Sequence, residues 1–321
     1  MARESSDAHF SSDYHRWLKE EIARQNELLS TKQTTETSLG TMEYSLIGKG
    51  PVILAVHGTP GGYDQSLLLF DWITTEGFSL LSVSRPGYLG TPLDTGKTPA
   101  EQADALAALL DALKIEKVHL MFGSAGGASG YEFAIRHPDR VKCLVAMDAV
   151  SSQYLLSVNI GKVMEKLIMS RTGVELMEQM SLHFPEKSLQ DVIKHSSLCR
   201  PEQIKEQVKP AIKDPNQMRM FFRMVRSMTD YKHRKPGLEN DLDQMARIGD
   251  LPVDKITCPS LIVHGTHDSD VLFYHGVYAY ENIPDAESYW VREGSHLLCG
   301  WISPDADELR EKVVSFLLEH K

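Results

Sequence analysis

The sequence predicts an α/β protein: a mostly parallel central sheet with helices on both faces and a helical cap inserted between two strands. Three observations point there. Short runs that are apolar throughout, such as Pro51–Val56, Phe78–Val83 and Val141–Met147, read as strands buried on both sides. They alternate with helical patterns of ten or more residues, as a doubly covered parallel sheet requires. The alternation breaks between Ser151 and Asp250, a stretch helical in pattern and poor in strands. The predicted organisation is an N-terminal helical extension over 1–30, a first part of the core over 31–150, a helical cap over 151–250 and a second part of the core over 251–321.

Composition narrows the function. A chain of 321 residues with 42% hydrophobic residues can bury a large core. Its net charge of −10 argues against nucleic-acid binding, since no basic face is supplied. The four cysteines, Cys143, Cys199, Cys258 and Cys299, show no paired spacing, which fits buried thiols in a reducing compartment. The N-terminus lacks an apolar leader and no run reaches transmembrane length, so the expectation is a cytoplasmic protein without a membrane partner.

In chain order, residues 1–10 read as disordered or loosely held. Ser11-Ser12-Asp13 can cap a helix reaching Leu29, with Tyr14, Trp17, Leu18 and Ile22 as its apolar stripe. That helix could cover its own subunit or form the contact of a homo-oligomer. Thr35–Ile47 reads as one or two strands turning at Gly40-Thr41. Pro51–Val56 ends in His57-Gly58-Thr59-Pro60-Gly61-Gly62; Leu67–Thr75 is helical; Phe78–Val83 ends in SRPGYLGT, Ser84–Thr91. Pro99–Leu113 is an amphipathic helix with Thr98 as N-cap and Glu101 at the capping-box position. Ser260–Val263 and Ala286–Val291 are later strands, and Ala306–Leu318 closes the chain. Most of the 13 methionines lie in the cap, among them Met164, Met169, Met177, Met218, Met220 and Met245. They read as helical core, with some free to line an adaptable apolar pocket. The basic run Lys232–Lys235 reads as a solvated turn.

The chemistry centres on Val118–Arg140, VHLMFGSAGGASGYEFAIRHPDR. A strand-length apolar run ends at Phe122, Ser124 follows, then Ala125, Gly126 and Gly127 open a helix that stops at Pro138. A serine on a tight strand-to-helix turn exposes its hydroxyl near a helix N-terminus, where free N–H groups meet developing negative charge. This stretch resembles the nucleophile elbow of the α/β-hydrolase superfamily, G-x-S-x-G, with Phe122 in the first glycine's place.

The resemblance implies a serine nucleophile, then an acid, then a histidine along the chain. Asp268, in the turn after the strand PSLIV, matches the acid-bearing turn; Asp270 and Asp148 are rivals. His296, in REGSH, matches the loop that carries the base. By the same resemblance the oxyanion donors are the backbone N–H groups of Thr59 and Ala125, and the His57-Gly58 pair shapes their loop. Pro60 has no N–H to offer. Arg85 lies in a turn whose proline is often cis in that family. It either braces the turn on local carboxylates or meets a substrate carboxylate. His264 and His267 flank the acid turn, but no second cluster completes a metal site, and His119 reads as structural. Neither a dinucleotide fingerprint nor a phosphate loop is present, so no cofactor and no metal are expected.

The resemblance therefore implies a serine hydrolase for a small apolar ester or amide, most simply a carboxylesterase. The loop HGTPGG is also similar to that of proline iminopeptidases, which need an acidic grip for an amine; Glu175, Glu178 or Asp243 could supply it. Carbon–carbon hydrolysis of ring-fission ketones is a further branch. A hydrolase-like ligand-binding protein is the non-enzyme alternative, mildly favoured by Phe122.

Overall fold

The computed structural model describes residues 12–154, 170–296, 302, 303 and 305–321. The expectations for residues 1–10, for the cap at Ser11-Ser12-Asp13, and for Met164, Met169 and Cys299 lie outside what is described. Eight strands form one sheet: β1 Lys32–Thr37, β2 Gly40–Gly48, β3 Val52–Val56, β4 Ser79–Val83, β5 Val118–Gly123, β6 Val141–Met147, β7 Ser260–Gly265 and β8 Glu287–Val291. Their order is β1-β2-β4-β3-β5-β6-β7-β8. Only the β1–β2 and β2–β4 pairs are antiparallel.

The apolar strands divide their side chains between two cores with period two. Leu54, Leu120, Phe122 and Leu144 face one core, against helices α3 Pro99–Ala112 and α4 Gly126–Arg136. Ile53, Met121, Cys143 and Val145 face the other. There they meet Leu67 of α2 Tyr63–Phe70 and the stripe Leu309, Val313, Phe316 and Leu317 of the last helix, Ala306–Glu319. Double coverage explains why these strands carry no polar alternation. The expected capping box forms: Thr98 Oγ1 accepts from Glu101 N at 3.2 Å and Glu101 Oε2 from Thr98 N at 2.9 Å.

Between β6 and β7 lie α5 Arg171–His183, α6 Pro185–Ser196, α7 Pro201–Ala211, α8 Pro215–Arg226 and α9 Tyr231–Met245. Proline at the first turn of α6, α7 and α8 removes a donor that would have no partner there. Leu189, Ile193, Val208, Met218 and Phe221 make an apolar core of their own. Helix α1, Ser12–Leu29, lays Tyr14, Trp17 and Leu18 on that core and packs Leu28 and Leu29 against the sheet. Buried Arg223 ties the three parts together, donating to Glu21 at 2.5 Å, Asp71 at 2.7 Å and the Leu68 carbonyl at 2.8 Å. The first helix thus covers part of its own chain.

Local expectations need correction. The β1–β2 turn sits at Ser38-Leu39, where Thr37 Oγ1 accepts from Leu39 N, so Gly40 begins β2. The second helix is α-helical only to Phe70 and tightens into a 3-10 turn to Glu76, stopped by Gly77 at φ 83°. Lys232–Lys235 is the first turn of α9, and Arg234 there is 2% exposed. α10, Tyr274–Asn282, lies before β8, and α11, Ala306–Glu319, follows it.

Candidate active site

Ser124 follows β5 with φ 52°, in the left-handed region that a non-glycine residue enters only when its surroundings fix it. Its N–H is held by the Met147 and Asp148 carbonyls at 3.2 and 3.1 Å. α4 starts at once, and a Cβ on Gly126 would stand 2.5 Å from the His57 carbonyl oxygen. Small residues here let β3 and the elbow approach. The large Phe122 finds its room at Gly130: a Cβ there would lie 2.4 Å from the Phe122 ring, which packs edge-to-face on Tyr131 at 4.8 Å.

Three distant side chains meet above the sheet edge. His296 Nδ1 lies 2.7 Å from Asp268 Oδ2, and His296 Nε2 lies 3.0 Å from Ser124 Oγ. With the proton on Nδ1, Nε2 accepts from the serine hydroxyl. Asp268 is fixed by its own turn, Oδ1 accepting from the N–H groups of Asp270 at 2.8 Å and Val271 at 3.0 Å. Burial opposes a charge on His296, but the Asp268 carboxylate, helped by Asp270 and Asp148, outweighs it and holds the imidazole well above its ordinary range. Burial likewise opposes the charge on Asp268, and His296 and His264 overcome it, so its carboxyl stays below the usual range. The rival acids go elsewhere: Asp270 offers Asp268 its backbone N–H, and Asp148 Oδ1 accepts from Gly265 N at 2.9 Å.

The loop His57–Gly62 faces the elbow, with a Cβ on Gly58 only 2.7 Å from Ser124 Cβ. Buried His57 accepts from Arg85 N at its Nε2, at 2.9 Å, so its Nδ1–H donates to the Gly58 carbonyl at 2.6 Å. Burial first, then Arg85, push its pKa well down, which keeps it neutral and structural. Among the described residues, no acceptor takes the N–H of Thr59 or of Ala125. The one cis peptide bond among these residues precedes Pro60, not Pro86 of the Arg85 turn. Arg85 does not pair locally as expected. It donates to Asp241 of α9 through Nη1 at 2.9 Å and Nη2 at 2.5 Å, and to the His57 carbonyl at 3.0 Å. With its side chain 2% exposed and both ends engaged, it is not presented to a substrate carboxylate.

The expectation that nothing completes a cluster at His264 also needs correction. Asp148, His264 and Asp268 can each bring one ligand atom within 4.8 Å of the others. These groups are already engaged in hydrogen bonds. His264 Nε2 donates its proton to the Val271 carbonyl at 2.8 Å, and both carboxylates already accept from N–H groups. His267 is outside the cluster. His119 is buried against Cys143 Sγ at 3.2 Å. Glu175 is exposed and Glu178 half-buried on α5, and Asp243 pairs with Arg247 at the surface.

What surrounds the elbow on the cap side is apolar. Met245, Leu242 and Tyr154 pack with Val150 and Val271 against Ala125. Met218, Met177 and Met220 belong instead to the cap core. The cap also grips the histidine loop: the Ser196 carbonyl accepts from His296 N at 2.9 Å, and Leu198 N donates to the His267 carbonyl at 2.7 Å. A cavity of about 270 Å³ lies beside this loop, lined by Gln203, Glu206, Gln207 and Ser295 among others. Its walls do not include Ser124. No helix among the described residues is long and apolar enough to cross a membrane.

Comparison with known proteins agrees with this architecture. Residues 51–301 match the family described as alpha/beta hydrolase fold. The structure resembles an alpha/beta hydrolase fold protein from Nakamurella multipartita, with TM-score 0.83 and 37% identity over 89% of this chain and 98% of that one. An uncharacterized hydrolase, YcgS of Bacillus subtilis, is 29% identical over 284 residues, 87% of this chain and 95% of its own. A 2-hydroxy-6-oxononadienedioate/2-hydroxy-6-oxononatrienedioate hydrolase of Dechloromonas aromatica is 24% identical, over 86% of this chain and 90% of its own.

Proposed function

This chain belongs to the alpha/beta hydrolase fold family, and within it we propose a serine hydrolase, a carboxylesterase for small or medium apolar acyl esters. The observation that carries the reading is the hydrogen-bonded line Ser124–His296–Asp268, with spacings of 3.0 and 2.7 Å. A serine hydroxyl attacks an acyl carbon only if a base takes its proton, and the base needs an anchored tautomer. His296 takes the proton as Ser124 Oγ bonds to the acyl carbon. Asp268 orients the ring and stabilises its charged form. The N–H groups of Thr59 and Ala125 hold the oxyanion, a fixed pair that needs no reorganisation as charge develops. His296 then gives its proton to the leaving alcohol. Water, deprotonated by the same ring, hydrolyses the acyl-enzyme.

The substrate class is proposed from the residues packed beside the elbow. The apolar group of Met245, Leu242 and Tyr154 beside Ala125 suits a hydrocarbon acyl chain. The Dechloromonas relative is named for a dicarboxylate. The two buried arginines that touch the His57–Gly62 loop, Arg85 and Arg234, are both neutralised, by Asp241 and Asp64. That favours a neutral ester over an anionic ketone. The exposed position of Asp243 and its pairing with Arg247 disfavour that residue as an aminopeptidase's amine grip. Because Phe122 is accommodated by Gly130, it lends no support to a non-catalytic binding protein. The test is a panel of aryl esters of graded acyl length, run beside an N-terminal-proline arylamide and a ring-fission dienoate. Ester turnover that vanishes in Ser124→Ala supports the reading. Preferential turnover of the arylamide or the dienoate contradicts it.

A further inference from the structure

We infer that cap helix α9 is a two-point staple on the oxyanion loop and that Asp241 is its positioning residue; this rests on the reading of Ser124 as nucleophile. Arg234, Gly237 and Asp241 follow one another at spacings of three and four residues, so they share one face of α9. That face lies directly on the loop and the Arg85 turn. At its middle, Gly237 N donates to the Gly87 carbonyl at 2.9 Å, and a Cβ on Gly237 would stand 2.3 Å from the Tyr88 ring. Only a bare backbone lets the helix come so close.

Each end of the face grips one end of the loop. Arg234 Nη1 donates to the Gly61 carbonyl at 2.7 Å while its guanidinium pairs with Asp64 at 2.5 Å. Asp241 Oδ2 accepts from the Thr59 hydroxyl, from Tyr88 Oη at 2.5 Å and from Arg85 Nη2 at 2.5 Å; Oδ1 accepts from Arg85 Nη1 at 2.9 Å. Arg85 in turn holds the His57 carbonyl. Arg85, Arg234 and Asp241 are all at most 4% exposed, so water does not screen or replace these contacts. Thr59 is thereby fixed through its side chain, which leaves its N–H oriented and without an acceptor. An oxyanion donor is useful only when its direction is set before charge develops. Seating of the cap and readiness of the hole are thus one structural event.

The test is active-site titration of the full-length protein with a fluorophosphonate, followed by ester turnover per titrated site. Asp241→Asn keeps the shape but turns an amide N–H₂ toward Arg85. It should lower kcat per titrated site by about 10- to 100-fold, short of the roughly 10²–10³ lost with a whole donor, and change KM by less than about threefold. Affinity for an alkyl boronic acid, which mimics the oxyanion, should fall in parallel with kcat. Thr59→Val leaves the Arg85–Asp241 pair intact and should show the same pattern more weakly, with Thr59→Ser restoring the wild-type value. Asp243→Asn, on the exposed face of α9, should match wild type. If Asp241→Asn does not fold, Thr59→Val decides. Wild-type kcat per titrated site in Thr59→Val, or an Asp241→Asn protein with fewer titratable sites but unchanged turnover at each, overturns the positioning role. A wild type that is neither labelled at Ser124 nor active on esters overturns the esterase reading and this inference with it.

Discussion

The elbow at Ser124 and the His57–Gly62 loop facing it each present a backbone N–H without an acceptor, and they are built in opposite ways. The elbow is held by its neighbours in sequence: a left-handed φ at Ser124, carbonyls of Met147 and Asp148 about 24 residues on, and a helix that begins at Gly126. The loop is held from far away. Its grips, Arg234 and Asp241, lie 153 to 182 residues from the groups they bind on the loop and beside it. Local strain makes one half of the site self-contained, and buried ion pairs make the other half depend on the cap. Buried pairs of this kind contribute little net stability, because desolvation opposes the attraction, but removing one partner is costly. Their effect is to specify a geometry.

The largest effect should come from the elbow's own chemistry. Ser124→Ala should lower ester kcat by about 10⁴–10⁶-fold at unchanged fold, read as residual hydrolysis with circular dichroism as control. Asp268→Asn comes next, with a loss of about 10⁴-fold. It should also move the pH profile, because His296 must be neutral to act as base. Burial pulls its pKa down and the Asp268 carboxylate more than reverses this, so the acid limb of kcat/KM should lie above pH 6.5, the ordinary imidazole value. Removing the carboxylate leaves burial dominant, and the limb should shift to lower pH. An unmoved limb in Asp268→Asn would detach that carboxylate from the base. The distant grip, Asp241→Asn, should rank below both.

The smallest effect tests the elbow's packing. Gly130→Ala places a methyl 2.4 Å from the Phe122 ring and should destabilise by about 1–3 kcal/mol, seen as a lower midpoint in urea. Phe122→Ala in the same chain should relieve the clash, so the two changes should not add. Strict additivity would mean that the ring does not depend on Gly130 for its space.

How much of this was legible follows the same division. Ser124, Asp268 and His296 each sit on a turn directly after an apolar strand, and such turns are written in a few adjacent residues. The strands and the closing helix read correctly because period and length are local properties. The β1–β2 turn was misplaced because Thr37, not Gly40, closes it with its own hydroxyl. Arg85 was expected to pair locally, and Lys232–Lys235 to be solvated, which holds for Lys232, His233 and Lys235 but not for Arg234. Both expectations missed α9, since nothing near residue 85 announces a carboxylate at 241. One signal was present: an Arg, a Gly and an Asp at helical spacing, two charges on one face with no side chain between them. The accommodation of Phe122 by Gly130 was likewise readable only once α4 was seen to return over β5.

The most direct measurement is the site of covalent capture. Treated with a fluorophosphonate, digested and mapped by mass spectrometry, the protein should carry one adduct, on Ser124. Capture should be abolished in His296→Ala and should fall off sharply in Asp268→Asn. An adduct on another residue, or full-rate labelling of Ser124 without His296, would contradict the account.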